Sequence, residues 1–198
     1  MFAALALAFL IAFLFYFNRT PLRVVPRSLV VVSPANGKVI ALGRAETEHI
    51  TFFKEGIQNE LKAHGVTLPA HVVVISMNLR NVHVQRAPID GVVTYIEHHR
   101  GKFKNALYGK HTTELVNGNE KNLIVIGNAN ETIAVIQVAG FLARRIKSYV
   151  KVDSEVSQGD KIGFIALGSQ VVLVIPETRT LQVRIGDTLI DGETVVAE

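Results

Sequence analysis

A serine that directly follows a glycine is the first candidate for chemistry in this chain. The pair Gly168-Ser169 lies between two apolar runs, residues 162–167 and 171–175. A Gly-Ser pair in such a place most often forms a tight bend between two buried strands. The hydroxyl of a serine becomes a nucleophile only when a neighbouring base takes its proton. Chemistry at Ser169 therefore requires a base that the fold brings close to it.

His83 is the candidate for that base among the seven histidines of the chain. It lies among apolar residues in the segment I-S-M-N-L-R-N-V-H-V-Q-R-A-P-I-D-G-V-V, close to Arg86 and Asp90. An imidazole titrates near neutral pH, which suits it to proton transfer. A lone histidine in a β-rich chain is more often a structural residue, so His83 alone does not identify an enzyme. Because no two histidines stand at helical spacing beside a carboxylate, we expect no metal site.

The composition excludes several classes of protein. A chain of 198 residues can bury one core, or one core together with an anchor. The absence of cysteine excludes a disulfide scaffold, a thiolate nucleophile and a cysteine-ligated metal. The formal net charge of +4 suits an anionic partner, such as a membrane surface. Because no basic tract is interleaved with aromatic residues, we expect no nucleic-acid module.

The first seventeen residues carry no charge and are almost entirely apolar. A membrane-spanning helix needs ~17–25 apolar residues, so this segment is at the short limit. We expect residues 1–18 to form a membrane anchor, as a transmembrane or an interfacial helix, with Tyr16 and Phe17 at the membrane interface. A cleaved signal peptide fits less well, because a basic leading region and a small-residue cleavage site are both missing.

A basic linker, residues 19–29, follows the anchor and contains Arg19, Arg23 and Arg27. Positive charges that follow a hydrophobic segment favour leaving that side of the chain in the cytoplasm. We therefore expect a protein of the cell membrane whose main domain lies on the cytoplasmic face.

Residues 30–198 read mostly as short β-strands separated by turns. The turn pattern P-x-[ND]-G-x-V occurs at Pro34 and Pro88, and V-x-x-G-D occurs at Val156 and Val183. These patterns indicate similar turns in one β-rich domain, as a β-sandwich or a partly open barrel with one or two short helices. Residues 51–68 are ambiguous and could hold one short helix that ends near Gly65.

Six segments together resemble a known family. They are S-P-A-N-G-K-V, N-V-H-V-Q-R-A-P, G-K-F-K-N-A, N-E-K-N, Q-V-A-G-F-L-A-R-R-I and L-G-S, in this order along residues 33–169. The set resembles the pyruvoyl-dependent phosphatidylserine decarboxylases, and the short length resembles their compact branch, which includes archaetidylserine decarboxylase-like proteins.

This resemblance implies that the chain cuts itself between Gly168 and Ser169. The hydroxyl of Ser169 would attack the Gly168 carbonyl with His83 as base, and residue 169 would end as a covalent pyruvoyl group. The products would be a β chain of residues 1–168 and an α chain of the 30 residues 169–198.

The implied reaction is decarboxylation of a serine phospholipid to the ethanolamine phospholipid. The pyruvoyl carbonyl would take up the electrons that carbon dioxide leaves behind, and His83 would return a proton. Four cations in the matching segments are candidates for binding the lipid phosphodiester: Arg86, Lys121, Arg144 and Arg145. The sequence leaves open whether the lipid is diacyl or archaeal ether-linked, and it is compatible with a homo-oligomer.

The chain departs from the family pattern at Asn36, where the family's P-A-D-G turn has an aspartate. An asparagine can orient an imidazole but cannot stabilise its protonated form by charge, so we expect slow self-cleavage. Asp90, which lies in a similar turn seven residues after His83, is the alternative carboxylate.

A membrane-tethered β domain without catalysis is the competing interpretation. It could be a processing-deficient relative or a carrier-like binding module, since Asp160-Lys161 superficially resembles a lipoyl attachment dipeptide. A carrier lysine belongs at an exposed hairpin tip, whereas Lys161 leads directly into an apolar strand.

Overall fold

The structure is a computed structural model that describes residues 2–26, 29–54, 57–100, 120–139, 145–166 and 169–198. Over these residues the chain is mainly β, as the sequence predicts. Its helix and strands are α1 (Phe2–Phe17), β1 (Val31–Val32), β2 (Gly37–Ala45), β3 (His49–Lys54), β4 (Ile57–Lys62), β5 (Ala70–Met77), β6 (Val84–Arg86), β7 (Gly91–His99), β8 (Lys121–Gly127), β9 (Thr132–Val138), β10 (Ile146–Ser148), β11 (Glu155–Val156), β12 (Lys161–Ile165), β13 (Ser169–Pro176), β14 (Thr188–Leu189) and β15 (Val195–Ala197).

One antiparallel sheet of eight strands dominates the fold and is curled into a half-barrel. Its strand order is β11-β7-β8-β9-β13-β5-β2-β14. The central strands β5, β8, β9 and β13 are rich in valine and isoleucine and are buried along nearly their whole length. Such continuous apolar runs are typical of strands covered on both faces. The partly open barrel is therefore the form of the β-fold that the structure supports.

A second, three-stranded sheet with the order β10-β12-β6 covers one face of the half-barrel. Ile162 and Ile165 of β12 pack into the same core as Ile75 of β5 and Leu173 of β13. This small sheet matters for function because His83 immediately precedes β6, and Ser169 follows β12 by four residues.

Each of the two repeated sequence patterns, P-x-[ND]-G-x-V and V-x-x-G-D, forms a similar turn at both of its positions, as predicted. Gly37 and Gly91 each open a strand against neighbouring backbone, where an added Cβ would lie 2.4 Å from Ser76 O and 2.5 Å from Gly127 O. No residue larger than glycine fits there without displacing backbone. In both V-x-x-G-D turns the aspartate carboxylate accepts a hydrogen bond from the amide three residues earlier, at 2.8 Å and 2.7 Å.

The prediction of a short helix within residues 51–68 is wrong. Strands β3 and β4 pair as an antiparallel hairpin there, and Ala63 N closes it with a 2.8 Å hydrogen bond to Glu48 O. The segment begins H-I-T-F-F, and β-branched and aromatic residues favour a pleated strand. Buried Ile50 joins a core on the second face of the main sheet, so tertiary packing adds to that preference.

Helix α1 covers 16 residues. Among the residues that the structure describes, no helix is long and apolar enough to cross a membrane. At 1.5 Å per residue α1 is ~24 Å long, compared with ~30 Å for the hydrocarbon core of a bilayer. The transmembrane form of the predicted anchor is therefore not supported.

Candidate active site

Ser169 begins β13 and pairs with Met77 on β5. Its side chain is buried, with 3% of the residue exposed. The hydroxyl contacts the thioether of Met77, with 3.5 Å between Oγ and Sδ. Because a thioether is a weak acceptor, this contact leaves the hydroxyl proton available to a stronger base. The preceding residues, Leu167 and Gly168, lie outside the described part of the chain.

His83 is fully buried, with 0% of the residue exposed. Its Nδ1 lies 2.9 Å from the backbone carbonyl oxygen of Asn81. A carbonyl only accepts hydrogen bonds, so Nδ1 carries the proton and Nε2 carries the lone pair. Nε2 is buried and has no hydrogen-bond partner among the described residues. Burial lowers the pKa of His83, so the ring is a neutral base near pH 7.

Chain connectivity places His83 and Ser169 in one region. The amide of Ile165 donates a 3.1 Å hydrogen bond to the carbonyl of His83. Four residues of chain span at most about 14 Å, so Ser169 cannot lie far from that strand end. Met77 also links the two residues. Its sulfur contacts Ser169 Oγ and lies 3.8 Å from Nε2 of Gln85, two residues after His83.

A buried chain of amide side chains supports the backbone at His83. Gln85 Nε2 donates to the carbonyl of His83 at 2.9 Å, and Gln137 Nε2 donates to Gln85 Oε1 at 2.7 Å. Asn122 Nδ2 donates to Gln137 Oε1 at 2.8 Å. The carbonyl at one end fixes the direction of every amide in the chain. Nothing in the sequence links these residues as a group, although Gln85, Asn122 and Gln137 each lie in one of the six segments.

Two aromatic rings pack near the imidazole. The ring centroid of Phe17 lies 4.1 Å from that of His83, and Phe164 lies 6.4 Å from His83. Phe17 is 5% exposed. Its predicted position at a membrane interface is therefore wrong, because the end of α1 folds back against the β domain. No local pattern in the sequence indicates this contact between residues 66 positions apart.

The two candidate partners for His83 have different positions. Asn36 Oδ1 accepts a 2.7 Å hydrogen bond from Asn81 Nδ2, so Asn36 reaches His83 through the residue that holds Nδ1. Asp90 is exposed, and its carboxylate accepts a 2.7 Å hydrogen bond from the amide of Gln158. The structure therefore brings Asn36 into the surroundings of His83 and engages Asp90 elsewhere.

The four cations predicted to bind the lipid phosphodiester differ in their surroundings. Arg86 is buried and forms an ion pair with buried Asp191, with 2.8 Å between Nε and Oδ2. It also donates to the carbonyls of Gly159 and Pro21, at 2.7 Å and 3.0 Å. Three such partners make Arg86 a structural cation and leave little of its guanidinium for a lipid.

Arg145 and Lys121 remain near the site, whereas Arg144 lies outside the described residues. Arg145 is exposed, and its carbonyl accepts a 3.2 Å hydrogen bond from the amide of Ala166, three residues before Ser169. Lys121 is half-buried at the start of β8, where it pairs with Val138 of β9.

Comparison with known proteins assigns the family. A family model described as phosphatidylserine decarboxylase matches residues 10–197. The chain belongs to the phosphatidylserine decarboxylase family. This confirms the resemblance carried by the six segments.

Two relatives in this family cover nearly the whole chain. A protein of Methanocaldococcus jannaschii named "Putative archaetidylserine decarboxylase proenzyme" is 35% identical over 198 residues, which are 99% of this chain and 94% of the relative. A Burkholderia multivorans protein named "Phosphatidylserine decarboxylase proenzyme" is 35% identical over 191 residues, or 96% of this chain and 80% of the relative.

The described residues fit the pyruvoyl group that members of this decarboxylase family are expected to carry. Such a group forms from a serine. Ser169 is buried in the same region as His83, whose Nε2 is an acceptor without a hydrogen-bond partner within the described ranges. The carrier-type alternative fits less well, because Lys161 is the first residue of β12 and follows a four-residue turn.

Proposed function

We propose that this protein is a self-processing decarboxylase of serine phospholipids that uses a pyruvoyl group made from Ser169. Besides family membership, one structural observation supports the proposal. A buried serine hydroxyl that contacts a thioether lies in the same region as a buried neutral histidine, whose Nε2 has no hydrogen-bond partner in the described part of the chain. A nucleophile and a matched base are the two parts that self-cleavage needs.

In the proposed processing step, Oγ of Ser169 attacks the carbonyl carbon of Gly168 while His83 Nε2 takes the hydroxyl proton. The peptide C–N bond breaks, the nitrogen of residue 169 takes a proton, and an ester links the two segments. Loss of the α proton of residue 169 then expels the Gly168 carboxylate. Water replaces the nitrogen, ammonia leaves, and residue 169 becomes pyruvoyl.

The pyruvoyl carbonyl supplies an electron acceptor when carbon dioxide leaves the bound serine lipid. The protein's own residues do the rest. His83 Nε2 holds a proton and returns it to the carbon that lost carbon dioxide, while Phe17 and Phe164 exclude water from the imidazole. Arg145 and Lys121 are the described cations that we assign to the phosphodiester, and Arg offers a planar donor fork for it.

We propose in addition that α1 binds the surface of the membrane that holds the lipid. The helix has no charged residue, and its side chains are exposed on nearly every face, with Phe2 85% and Phe9 74% exposed. A helix that is apolar all round requires apolar surroundings. A lipid surface provides them close to the site, because the last residue of α1 contacts His83. We place the β domain on the cytoplasmic face, as the arginines after the helix suggest.

A vesicle experiment tests the membrane proposal. Phe9→Asp places a charge on the exposed apolar surface and should release the protein from vesicles of phosphatidylserine and neutral lipid. Thr180→Asp adds the same charge at an exposed residue of the β domain and should leave flotation unchanged. Equal flotation of both variants and the parent would contradict binding through α1.

A lipid-conversion assay tests the enzymatic proposal. The purified protein should convert phosphatidylserine or archaetidylserine in vesicles to the ethanolamine lipid, and comparison of the two lipids identifies the preferred one. Ser169→Ala and His83→Ala should each lower the rate by at least ~100-fold, because one removes the source of the carbonyl and the other the base. A parent protein that converts neither lipid would favour a processing-deficient member, as the asparagine at position 36 allows.

A further inference from the structure

The end of α1 makes a specific contact with the candidate base. Phe17 and His83 lie with ring centroids 4.1 Å apart and planes tilted by 35°. Phe13 stacks on Phe17 with ring centroids 5.8 Å apart, and Phe164 of β12 makes a T-shaped contact with Phe17 at 6.0 Å. Phe17 is thus held between its own helix and the small sheet, with its ring against the imidazole.

The same helix end also holds the loop that orients His83. The Tyr16 hydroxyl donates to the carbonyl of Arg80 at 3.2 Å, and the guanidinium of Arg19 donates to that carbonyl too. Arg19 donates in addition to the carbonyl of Tyr16 at 2.7 Å and lies over the Tyr16 ring at 3.8 Å. The next residue after Arg80 is Asn81, whose carbonyl accepts the Nδ1 proton of His83.

We propose that Phe17 is a positioning residue for His83, so that the end of the N-terminal helix completes the reaction site as well as binding lipid. The inference rests on the proposed function, in which His83 is the base and proton donor. A flexible tether to the membrane would not pack against His83 in this way.

The chemistry gives Phe17 two tasks. Its ring keeps water from the imidazole, and this burial favours the neutral form with a free lone pair on Nε2. Its packing, together with the two donors to Arg80 O, fixes the loop that selects the tautomer. Among the described residues, Arg19 is the charged group that acts on the ring, and it lowers the pKa of His83 in the same direction as burial. Asn81, Phe164 and Gln85 contribute only uncharged groups.

Titration of His83 by nuclear magnetic resonance tests this role without requiring activity. All samples carry Ser169→Ala, so that every chain stays uncut. Phe17→Ala should raise the midpoint of the His83 titration toward the ordinary value near 6.5, because water then reaches the ring. Phe15→Ala removes the same ring from an exposed position of the same helix and should leave the midpoint unchanged.

Phe17→Leu removes the ring but keeps most of the apolar volume. It therefore provides a test if Phe17→Ala does not fold. It should give a smaller upward shift than Phe17→Ala. A midpoint equal to that of the parent in both Phe17 variants, with the thermal transition retained, would overturn the proposal.

A second measurement uses the active protein. On a monomeric short-chain serine phospholipid, which needs no membrane, Phe17→Leu should lower kcat with little change in KM. It should also move the alkaline limb of the kcat pH profile upward, because His83 acts as a proton donor in turnover. An effect seen only on vesicles would mean that Phe17 acts in membrane binding alone. Failure of the parent to cleave or decarboxylate would contradict the proposed function, whereas the titration would still decide the role of Phe17.

Discussion

In the proposed mechanism the deciding residue is His83, whose two nitrogens have different roles. Nδ1 donates to Asn81 O and fixes the tautomer, and Nε2 remains as a buried lone pair. Such a lone pair can take the proton of Ser169 only while the ring is neutral. In this proposal the environment of the ring therefore sets the pH range of self-processing.

The rate of self-processing should depend on pH through this ring. Because burial lowers the pKa of His83, the rate should stay at its plateau as the pH falls through 6.5 and should drop only at a more acidic pH. The half-life of the uncut chain, measured on denaturing gels between pH 4.5 and 8, checks this. A midpoint at or above 6.5 would contradict a buried, neutral base.

Asn36 offers a second test at the scale of single residues. An aspartate there could still accept the hydrogen bond from Asn81 Nδ2, and its negative charge would favour the protonated form of His83. We expect Asn36→Asp to speed self-processing roughly tenfold, a change of ~1.4 kcal/mol in the barrier. Asp90→Asn is the matched comparison and should change the rate little, since its carboxylate holds Gln158 N. Loss of processing in Asp90→Asn alone would instead make Asp90 the functional carboxylate.

At the scale of elements, a glycine in β12 allows this strand to approach the buried chain of amide side chains that supports His83. A Cβ added at Gly163 would lie 2.6 Å from Gln137 Nε2 and 2.9 Å from the carbonyl oxygen of Lys147. Both distances are too short for a real contact, so either the strand or the amide chain must move. Since the amide chain ends on His83 O, a change at Gly163 reaches the site through it.

Gly163→Ala should lower the free energy of unfolding by about 1–3 kcal/mol, the usual cost of overpacking a buried site. It should also slow self-processing, because Gln137 can no longer support Gln85. Gly43→Ala is the control in another strand, where an added Cβ would meet only Val72 Cβ at an ordinary 3.8 Å. Urea unfolding of both variants measures the difference, and equal stability would show that β12 accommodates a methyl group.

The elements show which features a sequence can predict. The P-x-[ND]-G and V-x-x-G-D turns were predictable, because the backbone geometry that they require is local. The runs in β5 and β13 were predictable as strands from their β-branched residues. The hairpin of β3 and β4 was not, since a helix competes locally there and packing of Ile50 favours the strand.

The candidate site was predictable only in part. Ser169 and His83 stand out through their segments, and Asn36 through its departure from a family pattern. Phe17 could not be found, because it ends a membrane-like helix and its contact is with a residue far along the chain. Arg86 appeared suited to a phosphodiester because the sequence does not reveal Asp191 as its partner.

For the whole molecule, cutting after Gly168 need not separate the two products. Strand β13, the first strand of the proposed α chain, lies between β9 and β5 in the middle of the main sheet. Strands β14 and β15 of the same segment pair with β2 and β1. The buried ion pairs of Asp191 with Arg23 and Arg86 also join residues on opposite sides of the proposed cut.

Asp191→Asn should therefore weaken the whole assembly. Removing the carboxylate charge takes the paired anion from the buried guanidinium of Arg86 and leaves Arg23 with the longer 3.8 Å contact to Glu193. Breaking a buried ion pair typically costs about 3–5 kcal/mol. The variant should unfold at lower urea concentration, and proteases should cut more readily in the segment around Arg23. Asp153→Asn changes an exposed carboxylate at a left-handed position that asparagine tolerates, and it should match the parent. An unchanged midpoint for Asp191→Asn would show that the pair contributes little.

The mass of the purified protein after long incubation tests the central claim most directly. We predict that the 21.7 kDa chain is replaced by two fragments, residues 1–168 and 169–198. The smaller fragment should be lighter, by the mass of one ammonia, than the same peptide with an N-terminal serine, and Ser169→Ala should stay intact. A spectrum that shows only the uncut chain, or a cut that persists in Ser169→Ala, would contradict the account.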